Sequence, residues 1–419
     1  MSLSSEDEWA LDAYTALAAG LEPIGRSATT GGYDRLAWTA ADLAARAWFT
    51  AAAAAAGLDV ETDGNGNLWG WWGRDLPGRA FVVGSHLDSV PDGGAHDGPL
   101  GVIAALAAVA HLRDEGWAPS RPLAVAAFSD EEGGRFGIAC AGSRLLTGAL
   151  DPSRARDLVD RDGVTLAAAM TAAGADPSRL GPDPERVASL AAYVELHIEQ
   201  GHFPLARPAG SDALGLAGAG AVLGVGTEIW PHGRWRIDVE GEANHAGATR
   251  MEDRNDPLLP AATAVLALDE AARRHDALGT VGRIEAVPGA VNAIAARATI
   301  WMDVRGADEE RVRAVVADVS QAAGHEAVQE SWTASTPFAE SFTAGVAEVI
   351  APLAGASEVP WLPCGAGHDA GVLAQAGVPS AMIFVRNGSG VSHAPRESVD
   401  ASDCAVGVLA VTRLLRSML

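Results

Sequence analysis

The order of elements predicts an α/β protein: a larger domain on a mostly parallel central sheet flanked by helices, with a smaller α+β domain inserted into it. Three observations carry this. A strand, polar loop, helix, strand rhythm runs between residues 60 and 130, the pattern of parallel sheets covered by helices. Four separate apolar strands end in clusters of histidine and carboxylate. Between them lies a compact βαββαβ-like series, bounded by connections rich in Gly, Ala, Pro and Ser at 203–225 and 333–340. The division expected is 1–222 with 333–419 for the larger domain and 223–332 for the insert.

Each element follows from its own residues. The stretch 40–57 is alanine-rich and closes at Gly57, a helix with a glycine stop. Val60 to Trp72, broken at Asp63-Gly64-Asn65-Gly66-Asn67, reads as strand, turn, strand. Ala80-Phe81-Val82-Val83 is a short buried strand running into Gly84-Ser85-His86. Val102 to Leu112 is helical, and Leu123 to Phe128 is an apolar strand ending at Ser129-Asp130-Glu131-Glu132. Ala192 to Leu196 delivers His197, and Ala381 to Val385 leads to Ser392-His393-Ala394-Pro395. In the insert, strands are expected near 233–240, 280–286, 294–304 and 327–334, and helices near 257–274 and 307–323. Ligands of open parallel sheets collect beyond the carboxyl ends of the strands, where these clusters fall.

Composition narrows the chemistry. The 419 residues carry 54 Asp+Glu against 30 Lys+Arg, a formal net charge of −24, and every basic residue is arginine. So acidic a chain repels phosphate backbones. The absence of lysine removes Schiff-base, Walker-type and serine–lysine chemistry. Cys140, Cys364 and Cys404 form neither a CxxC nor a disulfide framework. The acidic start, Met1 to Glu8, lacks the features of a signal peptide, and the apolar runs at 43–57 and 102–112 are too short to span a bilayer. A cytoplasmic protein without nucleic-acid or membrane partners is expected.

Chemistry concentrates first in Gly84-Ser85-His86-Leu87-Asp88 and His96-Asp97-Gly98. His86 offers a nitrogen ligand, and an aspartate two residues on can hold its other ring nitrogen. Asp97, in a glycine-flanked turn before a helix, can use both carboxylate oxygens as a bridge; its alternative is a helix N-cap. Adjacent Glu131 and Glu132 leave a strand end in diverging directions, so one can ligate while the other activates water. Alone they would be an exposed acidic turn, and His197 and His393 alone would be structural histidines. Together the set is the inventory of a two-metal hydrolytic site.

These segments resemble the two-zinc aminoacylase/carboxypeptidase superfamily. Within it, they are similar to the hydantoinase/carbamoylase amidases: N-carbamoyl-L-amino-acid hydrolases, allantoate amidohydrolases and β-ureidopropionase. The resemblance is carried by His86-Leu-Asp88, Asp97-Gly-Pro-Leu-Gly, Glu131-Glu132-Gly-Gly-Arg135-Phe136 and His197-Ile-Glu-Gln200-Gly201. Asn244-His245-Ala-Gly247, Gly365-Ala-Gly367-His368-Asp369 and Ser392-His393-Ala-Pro395-Arg-Glu397 complete it. It implies two divalent metal ions per subunit, zinc or else manganese, cobalt or nickel. His86 and His197 would hold one, Glu132 and His393 the other, with Asp97 bridging. Glu131 would be the general base and Asp88 would orient His86. Gln200 and Gly367 would line the substrate site, and Asn292 and Arg305 would meet a substrate carboxylate. His245 would stabilise the oxyanion, in this family often from the partner subunit, which implies a homodimer through the insert acting as lid and dimerisation domain.

The reaction so implied is hydrolysis of a linear C–N bond in an N-carbamoyl-L-amino acid, giving the amino acid, CO2 and ammonia. Allantoate and N-formyl or other N-acyl amino acids fit the same motifs, and a metal-free binding protein on this fold is the alternative outside enzymes. The His-Ile-Glu-Gln-Gly segment weighs against a peptidase. Three residues depart from the family pattern: His96 beside Asp97, Arg250 after His245-Ala-Gly, and Arg386 ahead of the last ligand. Arg250 reads as outward-facing, and Arg386 would add donors near the pocket. The aromatic run Trp230 to Trp235 reads as packing at the start of the insert.

Overall fold

The computed structural model describes residues 5–208 and 210–419; the reading of Met1 to Ser4 as part of an acidic start lies outside them. In chain order the strands are β1 (Asp59–Thr62), β2 (Leu68–Trp72), β3 (Ala80–His86), β4 (Leu123–Phe128), β5 (Leu190–Ile198), β6 (Leu223–Ile229), β7 (His232–Glu240), β8 (Asn244–His245), β9 (Ala277–Val287), β10 (Ala293–Ile294), β11 (Arg297–Gly306), β12 (Val328–Thr333), β13 (Thr336–Pro337), β14 (Trp361–Cys364) and β15 (Ser380–Val385). Two compact units result, one of the chain up to Glu228 with Pro337–Leu419, the other of Ile229–Thr336. The first line falls beyond 222 because β6 pairs into the larger unit's sheet, and the second beyond 332 because β12 carries the smaller unit's sheet to Thr333.

That sheet runs β1-β2-β4-β3-β5-β15-β6. Its centre is parallel, with β3 between β4 and β5 and β5 beside β15; β1, β2 and β6 flank it antiparallel. Register aligns the carboxyl ends: His86 lies opposite Phe128, and His197 opposite Phe384. The residues that follow β3, β4 and β15, and the end of β5, therefore meet at one edge.

The helix Pro99–Asp114 lies against β3 and β5 and packs on the helices Ser5–Leu21 and Ala401–Met418, which also pack on each other. It is buried almost all round, because a helix apolar on every face has no side to offer water. Proline at its first position is pre-set for a helix start and lacks only an N–H that would go unused. The helix at 40–57 spans Ala40–Ala55, capped by Thr39, whose side chain accepts from the Asp42 amide. The helices Ser5–Leu21 and Ala401–Met418 and the short ones between Ala141 and Ser189 come in addition to those expected from sequence.

In the second unit β12-β7-β11-β9 form one antiparallel sheet, with the helices Leu258–Arg274 and Glu309–Ala323 packed on each other and on it. Strand alternation is clean on β7: Trp235, Ile237 and Val239 enter the core, while Arg234, Arg236 and Asp238 face out. Trp235 is thus a packing residue, as its run suggested.

Candidate metal centre

His86 is the last residue of β3, fully buried, and its Nδ1 lies 3.1 Å from the Asp88 backbone carbonyl. His197, near the end of β5, repeats the device, with Nδ1 2.9 Å from the Ile198 carbonyl. A carbonyl oxygen can only accept, so in both rings Nδ1 donates and Nε2 is turned inward. Both Nε2 atoms are buried and make no hydrogen bond among the described residues.

They face Asp97. Its Oδ1 lies 3.0 Å from His197 Nε2 and 3.7 Å from His86 Nε2. Its Oδ2 lies 3.5 Å from His393 Nε2, which in turn is 3.1 Å from Glu132 Oε2. One oxygen thus serves each group, and His86–Asp97–His197 and Asp97–Glu132–His393 each bring three ligand atoms within 4.8 Å of one another. Lone pairs converging on carboxylate oxygens repel unless a cation lies between them, so the donor set fits divalent metal ions. Without metal, burial works against ionisation of Asp97, but protonated His197, His86 and His393 outweigh it and hold its carboxyl well below the usual range, the positive charge a bound cation would supply in their place.

Two glycines make this approach possible. Gly98 has φ +85°, and a Cβ there would lie 2.3 Å from His86 Cε1. A Cβ on Gly101 would lie 2.2 Å from the Leu196 carbonyl, so the helix start could not nestle against β5.

Glu131 is buried beside the histidines, Oε2 3.6 Å from His86 Nε2 and Oε1 3.4 Å from Cys140 Sγ. Burial pushes its carboxyl well above the ordinary range; His86 opposes this, and Asp369, Glu132 and Glu195 add to it. Asp88 departs from expectation. Its backbone carbonyl, not its carboxylate, takes the His86 hydrogen bond; the nearer carboxylate oxygen lies 3.7 Å from Nδ1. The carboxylate instead accepts the amides of Glu131 and Glu132, each at 3.1 Å, and so fixes the loop that carries both.

Gln200 donates from its amide to Asp97 Oδ2 at 2.6 Å, which ties it to the bridging carboxylate. Gly367 is half-buried just before His368. His368 had no role from sequence, yet its ring centre lies 4.5 Å from that of His197 and its Nδ1 3.7 Å from Glu131 Oε1. Only its place in the Gly-Ala-Gly-His-Asp segment hinted at this. His96 turns away from the ligands, its Nδ1 3.0 Å from the Tyr14 hydroxyl, and burial lowers its pKa to about 4, leaving it neutral. Arg386 binds Asp403 through two hydrogen bonds of 2.8 and 2.9 Å, so its fork is committed to the C-terminal helix rather than to a ligand pocket.

In the second unit, β8 pairs with β10 and sets His245 opposite Ala293, and the Ala246 amide bonds the Asn292 carbonyl. His245 and Asn292 are therefore neighbours, both exposed. Arg305 forks onto Asp303 of the same strand at 2.6 and 3.1 Å, a partner beyond the carboxylate role expected from sequence. Arg250 is exposed and paired with Glu252 and Asp253, outward-facing as expected.

Histidines and carboxylates gathered at the carboxyl ends of parallel strands, around one shared aspartate, define a metallohydrolase architecture. The chain belongs to the peptidase family M20/M25/M40, a metal-dependent family whose profile matches residues 82–417. It is 37% identical over 387 residues to the N-carbamoyl-L-amino acid amidohydrolase of Geobacillus stearothermophilus, covering 90% of this chain and 91% of that one. To the allantoate amidohydrolase of Bacillus subtilis it is 31% identical over 401 residues, 92% of each. The solved structure of a hydantoinase/carbamoylase family amidase from Burkholderia vietnamiensis superposes with a TM-score of 0.83 at 28% identity, covering 99% of both chains. No helix among the described residues is long and apolar enough to cross a membrane.

Proposed function

We propose that this chain hydrolyses N-carbamoyl-L-amino acids, using two divalent metal ions held by His86, Asp97 and His197 and by Asp97, Glu132 and His393. The observation that carries the reading is the split of Asp97, one oxygen to each ligand group, with the buried Glu131 carboxylate 3.6 Å from His86 Nε2 beside them. When bound, the ions, zinc or else manganese, cobalt or nickel, would supply Lewis acidity and acidify water.

The residues do the rest. Glu131 takes the proton of the attacking water and returns it to the departing nitrogen. The carbamoyl C–N bond breaks, leaving the amino acid and a carbamate that decays to CO2 and ammonia. Asp88 holds Glu131 and Glu132 in place through their amides. Arg305 and Asn292 are assigned to the substrate carboxylate, His245 to the developing oxyanion, and Gln200 and Gly367 to the ureido end. Arginine suits a carboxylate because its fork donates two parallel hydrogen bonds, as Arg305 does to Asp303, so this role requires Arg305 to exchange Asp303 for the substrate.

The working form is proposed to be a cytoplasmic homodimer joined through the second unit, whose Leu259, Leu266, Ile284 and Val287 are exposed. The test is hydrolysis of a panel of N-carbamoyl-L-amino acids, allantoate, ureidoglycolate and 3-ureidopropionate, read as ammonia release, and of N-formyl amino acids, read as free amino acid. N-carbamoyl-L-amino acids should show the highest kcat/KM. Preference for another member of the panel overturns the substrate, and amino acids released from dipeptides without ureido turnover overturn the reaction class.

A further inference from the structure

Asp97 and His393 come from opposite ends of the chain, and one buried carboxylate ties their segments together. Glu397, 7% exposed, accepts through a single oxygen, Oε1. The donors are the amides of His96 at 2.7 Å and Asp97 at 3.1 Å, 301 and 300 positions away. The Glu397 amide bonds the Ala394 carbonyl, so this carboxylate and His393 sit on one tight turn. His393 enters that turn at φ +56°, a conformation side chains rarely adopt and one that needs support from its surroundings. The fit is close on the other side as well: a Cβ on Gly94 would lie 2.0 Å from the carboxyl carbon of Glu397.

We propose that Glu397 is a positioning residue that sets the spacing between Asp97 and His393, and thereby governs metal binding by the Asp97–Glu132–His393 group in particular. The inference rests on the two-metal reading above. His86 and His197 stand on β3 and β5, whose places the sheet fixes without Glu397. His393 stands on a loop, 3.5 Å from Asp97 Oδ2, and the Glu397 hydrogen bonds are what join that loop to the Asp97 backbone. Releasing them separates the second group while the first keeps both histidines. Neither bond requires charge on Glu397, only an acceptor oxygen.

The experiment titrates Zn2+ into the metal-free full-length chain by calorimetry with metal analysis, and Co2+ by its visible absorption, for wild type, Glu397→Ala and Glu397→Gln. Wild type should take up two ions. Glu397→Ala should bind its first ion as wild type does and its second about 10–100-fold more weakly, the size of effect that outer residues have on metal affinity. Glu397→Gln, whose side-chain carbonyl still accepts both amides, should recover the second ion to within about tenfold. If Glu397→Ala binds both ions like wild type, or if both variants lose both ions alike, the positioning role is wrong. A wild type that binds only one ion overturns the two-metal reading and this inference with it.

Discussion

Gly98→Ala tests whether the metal centre depends on the close approach of backbone to His86. Gly98 has φ +85° and ψ −58°, a conformation open to glycine and strained for any other residue. The added Cβ would meet His86 Cε1 at 2.3 Å and Nδ1 at 2.5 Å. Carbon atoms settle at about 3.5–4.0 Å, so the ring has to retreat by more than about 1 Å. Retreat also stretches the Nδ1 bond to the Asp88 carbonyl. Backbone strain of roughly 1–3 kcal/mol and a lost hydrogen bond of roughly 0.5–1.5 kcal/mol sum to about 1.5–4.5 kcal/mol of destabilisation. Gly163→Ala is the control: its φ is +78°, yet a Cβ there meets nothing within 4 Å, so it carries only strain of about 1–2 kcal/mol. Urea unfolding of the metal-free variants reads the difference, and Zn2+ titration should show an affinity loss for Gly98→Ala of about 10–100-fold. Equal stability of the two variants, with wild-type zinc affinity in Gly98→Ala, would refute the reasoning.

Three further outcomes are expected. Glu131→Gln should retain its metal content and fold while kcat falls by about 10²–10⁴; turnover near wild type would remove Glu131 as the base. Asp88→Ala strands the buried amide of Glu131, at about 1–3 kcal/mol, and the half-buried amide of Glu132, at less. Asp88→Asn should recover part of that loss in chemical unfolding, and an unchanged midpoint in Asp88→Ala would sink the loop-fixing role. Asp303 gives a pH signature. Burial opposes its ionisation, but Arg305 and then Arg234 outweigh it and hold its carboxyl below the usual range. Its contribution is therefore present above its unfolded pKa and is lost as pH falls through the lower folded value. Below about pH 4 the stability of Asp303→Asn should fall less steeply than that of wild type; parallel curves would show the pair contributes nothing.

Much of the site was legible because parallel strands aim their carboxyl ends at one place. Once Ala80–Val83, Leu123–Phe128, Ala192–Leu196 and Ala381–Val385 are read as strands, His86, Glu131, Glu132, His197 and His393 fall together without coordinates. Less legible was the division of work within a residue. Sequence offers Asp88 as a hydrogen-bond partner for His86, but whether carbonyl or carboxylate serves depends on how two loops pack. Arg305 and Asp303 lie two apart on one strand and so share a face, a pairing that alternation alone could have suggested. The caps Asp151, Thr165 and Asp183 announce the short helices after Ala141, yet each helix is under eight residues, too short for periodicity to register. Glu397 was visible in its motif, but a role that depends on amides three hundred positions away leaves no local trace.

The position of β15 has a consequence for how the chain is made. β5 is bonded to β3 on one side and to β15 on the other, and its residues are almost all buried in the finished fold. β3 is synthesised before β5, but β15 emerges only after the whole second unit. At about 5–20 residues per second, an apolar strand edge stands open for on the order of ten seconds or more. Open apolar edges recruit other chains, so the nascent protein is most prone to aggregate while its insert is being translated. The seam that later unites His197 with His393 is, during biosynthesis, the interval in which the chain most needs protection.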